Sequence, residues 1–270
     1  MRLGETKPSM KYTYEELAKM IDHSLLHPTM TDRELEDGCR LAAKYQVASV
    51  CIKPYAVKRA AELLRGTGVL VGAVIGFPHG SSSTESKRYE TQLACEDGAV
   101  EIDMVINIGK ALSGDWGYVE RDIRVVRDEA HRHDARVKVI FENDYLVNGG
   151  AGLSSDELKI KLCRISEQAG ADWVKTSSGY GFVKQPEGGY NYKGATEHDL
   201  KLMRANVSAN VQVKAAGGVR DLDGLIRVRD LGVSRCGATA TAAMLDEYRR
   251  REKSQSAAPV ATGQIGSGGY

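Results

Sequence analysis

GADWVKTSSGYG (170–181) decides the fold. It opens on a glycine, passes through the short β-branched and aromatic run WVKT, and ends in a loop of serine and glycine. The same order of helix stop and strand recurs as GAVEID (98–103) and GVSRCG (232–237). Gly98, Gly170 and Gly232 each follow a helical pattern and precede a strand by one or two residues. Glycine tolerates the left-handed backbone of a helix C-terminal cap, so each is read as the end of one helix and the approach to the next strand.

Outward from these segments, eight strands are predicted near residues 22–26, 47–52, 70–75, 100–106, 137–141, 173–176, 211–215 and 234–237. Amphipathic helices lie between them, and three starts carry the residues of a capping box: Thr31 with Glu34, Ser82 with Glu85, and Ser154 with Glu157. Strands alternating with helices argue for a parallel sheet with helical crossovers. Eight such units, running to the chain's end without reversal, favour a closed (β/α)8 TIM barrel over an open doubly wound sheet. The 270 residues suit one barrel of about 250 residues. An extra N-terminal helix, 13–20, is placed to plug the barrel bottom. The expected division is an extension at 1–12, the barrel at 13–251, and a flexible tail at 252–270 that is poor in core residues.

Composition excludes several classes of partner. With 37 Lys and Arg against 36 Asp and Glu, the chain has no basic surplus to favour nucleic acid or an anionic membrane surface. No run reaches the roughly 20 apolar residues of a membrane span, and the N-terminus shows no secretory apolar core. Five scattered cysteines without zinc spacing read as reduced thiols in a cytoplasmic compartment. Of six histidines only His131 and His133 are close, and residues two apart do not share a helical face, so no metal site is expected. No HExxH, P-loop or GxGxxG element occurs, and no cofactor is called for.

Charges inside the strands carry the chemistry. A strand of a parallel barrel is covered on both faces, so a charge there is costly unless paired, solvated or functional. Asp22, Asp103, Lys138, Glu142, Lys175 and Lys214 all fall in or at the ends of predicted strands. Lys175 and Lys214 come from adjacent strands, about 5 Å apart, so one ammonium disfavours protonation of the other. A neutral lysine can attack a carbonyl and form an iminium, an electron sink for breaking a neighbouring C–C bond. Asp103 is placed to move protons, directly or through water. Spacing leaves open which lysine is the nucleophile. The loops AAGGVR (215–220) and CGATAT (236–241), with Gly179 after the sixth strand, offer backbone amides to a phosphate.

These segments together resemble the deoxyribose-phosphate aldolase family, class I aldolases that cleave 2-deoxyribose 5-phosphate to acetaldehyde and glyceraldehyde 3-phosphate. The resemblance spans about residues 14–249. It is carried by IDHSLLHP (21–28), SVCIKP (49–54), VIGFPHG (74–80), VEIDMVINIG (100–109), KVIFE (138–142), GADWVKTSSGYG (170–181), VKAAGGVR (213–220) and RCGATA (235–240). It implies that Lys175 forms the Schiff base, Lys214 lowers its pKa, and Asp103 relays protons with water. It further implies that Asp22, Cys51 and Lys138 line the pocket. Ser178, Gly179, Gly217, Gly218, Arg220, Gly237 and Thr239 would surround the phosphate. Some relatives end in a tyrosine that reaches the pocket, a role that would fall to Tyr270. The expected partners are small sugar phosphates and aldehydes, and the expected assembly is a homodimer or homotetramer.

The sequence departs from the family pattern in four places. The last phosphate turn reads Gly237-Ala238-Thr239-Ala240 where serine is usual, and His79 stands at a usually less polar position. The segment after Lys175 is lengthened and adds Lys184, Tyr190, Tyr192 and Lys193 at the mouth, and the segment after Glu142 is enlarged too. These loops raise an alternative, the same amine chemistry on a different sugar aldehyde acceptor, with or without phosphate. A catalytically silent sugar-phosphate receptor is disfavoured because every residue of the amine chemistry is present.

Overall fold

Short β-branched runs bury both faces only when helices cover one and a shared interior fills the other, and that arrangement is observed. The computed structural model describes residues 10–256. Its strands are β1 (Ile21–Leu25), β2 (Ser49–Ile52), β3 (Leu70–Ile75), β4 (Glu101–Val105), β5 (Arg136–Ile140), β6 (Trp173–Lys175), β7 (Val183–Lys184), β8 (Tyr190–Asn191), β9 (Gln212–Ala216) and β10 (Arg235–Ala238). Eight of them form a closed parallel barrel in the order β1-β10-β9-β6-β5-β4-β3-β2, closed where Ile21 pairs with Cys236. All eight expected strands are present, with ends displaced by at most two residues. The small antiparallel pair β7-β8 lies outside the barrel and is built from the lengthened segment after Lys175.

The helices are α1 (Tyr14–Ala18), α2 (Asp32–Tyr45), α3 (Val57–Leu64), α4 (Thr84–Glu96), α5 (Ile108–Leu112), α6 (Trp116–Arg132), α7 (Ser155–Gln168), α8 (Glu197–Ala205), α9 (Leu222–Asp230) and α10 (Thr241–Ser256). Their inner faces follow the helical repeat. On α6, Val119, Ile123, Val126 and Ala130 are fully buried, spaced to form one stripe. They meet the outward residues of the strands, such as Ile102, Met104, Val137 and Val139, all without solvent exposure.

Helix starts follow the capping chemistry with one correction. Thr31 and Ser154 form the expected reciprocal boxes with Glu34 and Glu157. In α4 the N-cap is Ser83, not Ser82; its hydroxyl accepts the Ser86 N–H, and Glu85 instead pairs with Arg88. The residue three beyond Ser83 is a serine, so no carboxylate can return the bond. Gly98, Gly170 and Gly232 all take positive φ, as their cap role requires.

Helix α1 is capped by Thr13 and buries Leu17 and Ala18. Just past it, Lys19 Nζ donates to the carbonyls of Val47 and Gly68, which precede β2 and β3, so this segment crosses the lower end of the barrel. Helix α10 continues to Ser256, past the boundary expected at 251. Tyr270 and the rest of the tail lie outside the described residues. No helix among the described residues is long and apolar enough to cross a membrane.

Candidate active site

Alternation along the strands turns every second residue inward, and here the inward set is charged. It comprises Asp22 on β1, Glu101 and Asp103 on β4, Lys138 on β5, Lys175 on β6, Lys214 on β9 and Arg235 on β10, all buried. In the lower part the Arg235 guanidinium bridges Asp22 and Glu101, donating to both Glu101 oxygens at 2.7 Å. Lys138 Nζ lies 2.5 Å from Glu101, 3.2 Å from Asp22 and 3.1 Å from Asp103. The buried Trp173 indole faces this cluster, its ring 5.6 Å from Lys138 Nζ and 5.7 Å from the Arg235 guanidinium.

Above it, Asp103 Oδ2 accepts hydrogen bonds from both Lys175 Nζ and Lys214 Nζ, each at 2.6 Å. The register pairs Lys175 directly with Lys214 across β6 and β9. The two lysines differ in one respect. Lys214 also pairs with Asp22 at 2.5 Å, whereas Asp103 is the carboxylate paired with Lys175.

That difference sets their protonation. Burial pushes both amines down. At Lys214 the carboxylates of Asp103 and Asp22 overcome it and hold the pKa well above the usual lysine value. At Lys175 burial prevails over Asp103, helped by the Lys214 charge, and the pKa falls below the usual value. Burial would raise the Asp103 carboxyl, but Lys138, Lys175 and Lys214 keep it well below the carboxylate range. With all groups charged, this interior holds four cations against three carboxylates. Loss of one proton neutralises it, and Lys175 is the amine from which that proton leaves most readily.

A cavity of about 140 Å³ opens above the lysines. Lys175, Lys214 and Cys51 form its base, and the loops after β6, β9 and β10 form one side. Those loops present Gly179, Gly217 and Gly218, all at positive φ, together with Arg220 and Thr239, and Gly237 adds to the same side from the end of β10. Three backbone turns converging beside a buried amine suit an anionic group at one end and a carbonyl at the other. The Cys51 thiol is pushed up by burial and by Asp103, which disfavours a thiolate nucleophile.

Most of the expected site residues converge here. Lys175, Lys214, Cys51, Ser178, Gly179, Gly217, Gly218, Arg220, Gly237 and Thr239 line the one cavity, and Asp103 bonds both lysines. Asp22 and Lys138, expected to line the pocket, are not among the residues of the cavity wall. Both side chains are spent in the charge cluster beneath it. Of the four residues added by the lengthened segment, Tyr192 lines the cavity and Lys184, Tyr190 and Lys193 do not. His79 is exposed.

Sequence reasoning missed Arg235 and Glu101, although each stands two residues before a named residue, Gly237 and Asp103, and so faces inward by the same alternation. It also missed the contacts of Glu142. This residue sits at positive φ just past β5, and its buried carboxylate accepts the Ser178 N–H at 3.1 and 3.2 Å. Burial pushes its pKa up to about 7. Among the described residues, no group of three His, Cys, Asp or Glu side chains is placed to hold a metal ion.

Comparison with known proteins agrees with this geometry. Residues 17–242 match a family model described as DeoC/LacD family aldolase. The deoxyribose-phosphate aldolase of Rhodopirellula baltica is 49% identical over 255 residues, covering 94% of this chain and 98% of the relative. A solved Coccidioides immitis structure ascribed to the deoxyribose-phosphate aldolases superposes with a TM-score of 0.77 at 34% identity, covering 88% of this chain and 87% of the other. The tetrameric deoxyribose phosphate aldolase of Aeropyrum pernix gives a TM-score of 0.74 at 28% identity, covering 88% and 92%.

Proposed function

The chain belongs to the DeoC/LacD family of aldolases, and from that premise we propose that Lys175 is the amine through which it cleaves its sugar. The protein is a class I aldolase acting reversibly on 2-deoxy-D-ribose 5-phosphate, with acetaldehyde and D-glyceraldehyde 3-phosphate as products. The observation that carries the assignment of Lys175 is its position. It sits at the cavity base, shares one Asp103 oxygen with Lys214, and lacks the Asp22 contact that keeps Lys214 charged.

In this reading the neutral Lys175 amine adds to the aldehyde carbon C1 of the open-chain sugar. Loss of water from the carbinolamine gives an iminium. A proton leaves the C3 hydroxyl through Asp103 and water as the C2–C3 bond breaks, its electron pair passing into the iminium to give an enamine. Glyceraldehyde 3-phosphate departs. Protonation of the enamine at C2 and addition of water then release acetaldehyde and restore the amine. Lys214 stays protonated throughout and disfavours a second charge on Lys175. The turns at Gly179, Gly217–Gly218 and Gly237–Thr239 hold the phosphate, with Arg220 at the rim. The alternative of a different sugar aldehyde acceptor, with or without phosphate, is not favoured, since the glycine turns converge on the cavity and the similar R. baltica enzyme is a deoxyribose-phosphate aldolase.

The division taken is a barrel at 13–251 with 1–12 and 252–270 as flanking segments, α10 running on from the barrel to Ser256. The five unpaired cysteines support a cytoplasmic setting. A homodimer or homotetramer is supported by exposed Tyr89 and Leu93 on α4 and by the tetrameric A. pernix relative.

Borohydride reduction in the presence of acetaldehyde, followed by peptide mass mapping, tests the assignment. The expected result is an ethyl adduct on Lys175, absent from Lys175→Ala. An adduct on Lys214 instead, or none, overturns it.

A further inference from the structure

The lengthened segment after Lys175 and the enlarged segment after Glu142 meet, and their meeting place is the back of the glycine turn at 217–218. The chain leaves β5 through Glu142 and a single 3-10 turn, Asn143–Tyr145. Two carboxylates from this short stretch reach across to the connection between β6 and α8. Glu142 holds the start of that connection through the Ser178 N–H. Asp144, itself buried, holds its end, accepting the Lys193 N–H at 2.6 Å and the Gly194 N–H at 3.0 Å.

Between these anchors the β7-β8 pair is closed by Phe182 and Tyr192, edge to face with ring centres 5.5 Å apart. Tyr145 Oη donates to the Phe182 carbonyl at 3.3 Å. Past Tyr192 the backbone lies directly on the glycine turn. The Ala195 N–H donates to the carbonyls of Ala216 and Gly217, at 3.0 and 3.1 Å. A Cβ on Gly194 would stand 2.7 Å from Gly217 Cα, so the two backbones touch. A Cβ on Gly217 would stand 3.3 Å from the Tyr192 ring, which lies against this turn and also lines the cavity.

We propose that Tyr192 is a specificity-determining residue that contacts the phosphate-bearing end of the sugar, and that Asp144 is the positioning residue that holds Tyr192 and the Gly217–Gly218 turn in place. The proposal rests on the aldolase reading above and deepens it by assigning acceptor selection to the inserted segment. The Tyr192 ring walls the phosphate end against solvent, and its phenolic O–H is a donor at that end. Asp144 touches no substrate. It acts by fixing two backbone N–H groups, and through them the face on which Gly217 rests.

The experiment compares kcat/KM for 2-deoxyribose 5-phosphate with kcat/KM for 2-deoxyribose, in the full chain and in Tyr192→Phe, Tyr192→Ala, Asp144→Asn and Asp144→Ala. The ratio cancels any loss common to both substrates, including partial misfolding or weakened amine chemistry. Tyr192→Ala and Asp144→Ala are expected to lower the ratio about tenfold, chiefly through KM for the phosphorylated sugar. Tyr192→Phe, which keeps the ring, is expected to lower it about threefold, and Asp144→Asn, which keeps an acceptor oxygen, to fall between Asp144→Ala and wild type. An unchanged ratio in both Tyr192 variants overturns the role of Tyr192. A fall in kcat for both sugars alike in the Asp144 variants overturns the positioning role. If the wild-type chain forms no borohydride-trapped adduct, the aldolase reading itself fails, a result distinct from a trapped, active enzyme whose ratio ignores these residues.

Discussion

The lower interior of the barrel and the rim of its mouth are held together by different physical means. Below Lys175, charged side chains on adjacent strands meet at distances set by strand register, and every member of the cluster is buried. At the rim, the turns proposed to hold phosphate are glycine backbone, held by other backbone through Ala195, Gly194 and the Asp144 carboxylate. A change below should therefore appear in protonation, kcat and stability, and a change at the rim in KM for the phosphorylated sugar.

The largest effect is expected from Lys214→Met. It removes the cation that disfavours protonation of Lys175 and leaves Asp22 short of a partner. kcat should fall by about 10² to 10³. The acid limb of the kcat/KM pH profile should move to higher pH, because Lys175 gives up its proton less readily. A limb that stays in place would mean that Lys214 does not tune Lys175.

Next in size is Glu101→Gln, which removes one carboxylate beneath the cavity without touching its wall. Lys138 and Arg235 then remain buried with less compensation. Breaking such a pair costs on the order of 3 kcal/mol, measurable as a fall in the urea midpoint at constant m-value. The ratio of activities on deoxyribose with and without its phosphate should stay constant. If it changes as much as in Tyr192→Ala, the two regions are not separable.

The contrast also accounts for what the sequence revealed. Strand alternation and the inward charges needed only a period of two, so Lys175, Lys214 and Asp103 were readable as one set. The same period argues that Asp22 points inward but does not say how deep it sits; its bonds to Lys214 and Arg235 place it below the cavity. The glycines of the rim turns were visible as residue types. Their support was not, because the contact of Gly194 with Gly217 joins residues from different loops and leaves no periodic signal. Tyr192 appeared only as one of four residues in a lengthened loop, and nothing in their order separated the one that lines the cavity.

The smallest effect lies where the two regions meet, at Glu142, which follows β5 yet holds the Ser178 N–H at the start of the rim. Its carboxyl rises from an ordinary 4.5 to about 7, chiefly by burial. The folded chain thus retains a proton that the unfolded chain has already released across this interval. The stability this contributes is present below about pH 4.5 and is lost as pH rises through about 7. Glu142→Gln keeps an acceptor for Ser178 and cannot ionise, so it should escape that loss. Relative to wild type the variant should gain stability between pH 5 and pH 8, by at most about 3 kcal/mol at ~1.4 kcal/mol per pKa unit. Urea unfolding of both proteins across this range provides the measurement. A difference that is flat with pH would mean that Glu142 is ionised throughout, with the nearby Lys175 charge offsetting its burial, and would tie this residue to the charge cluster below rather than to the rim.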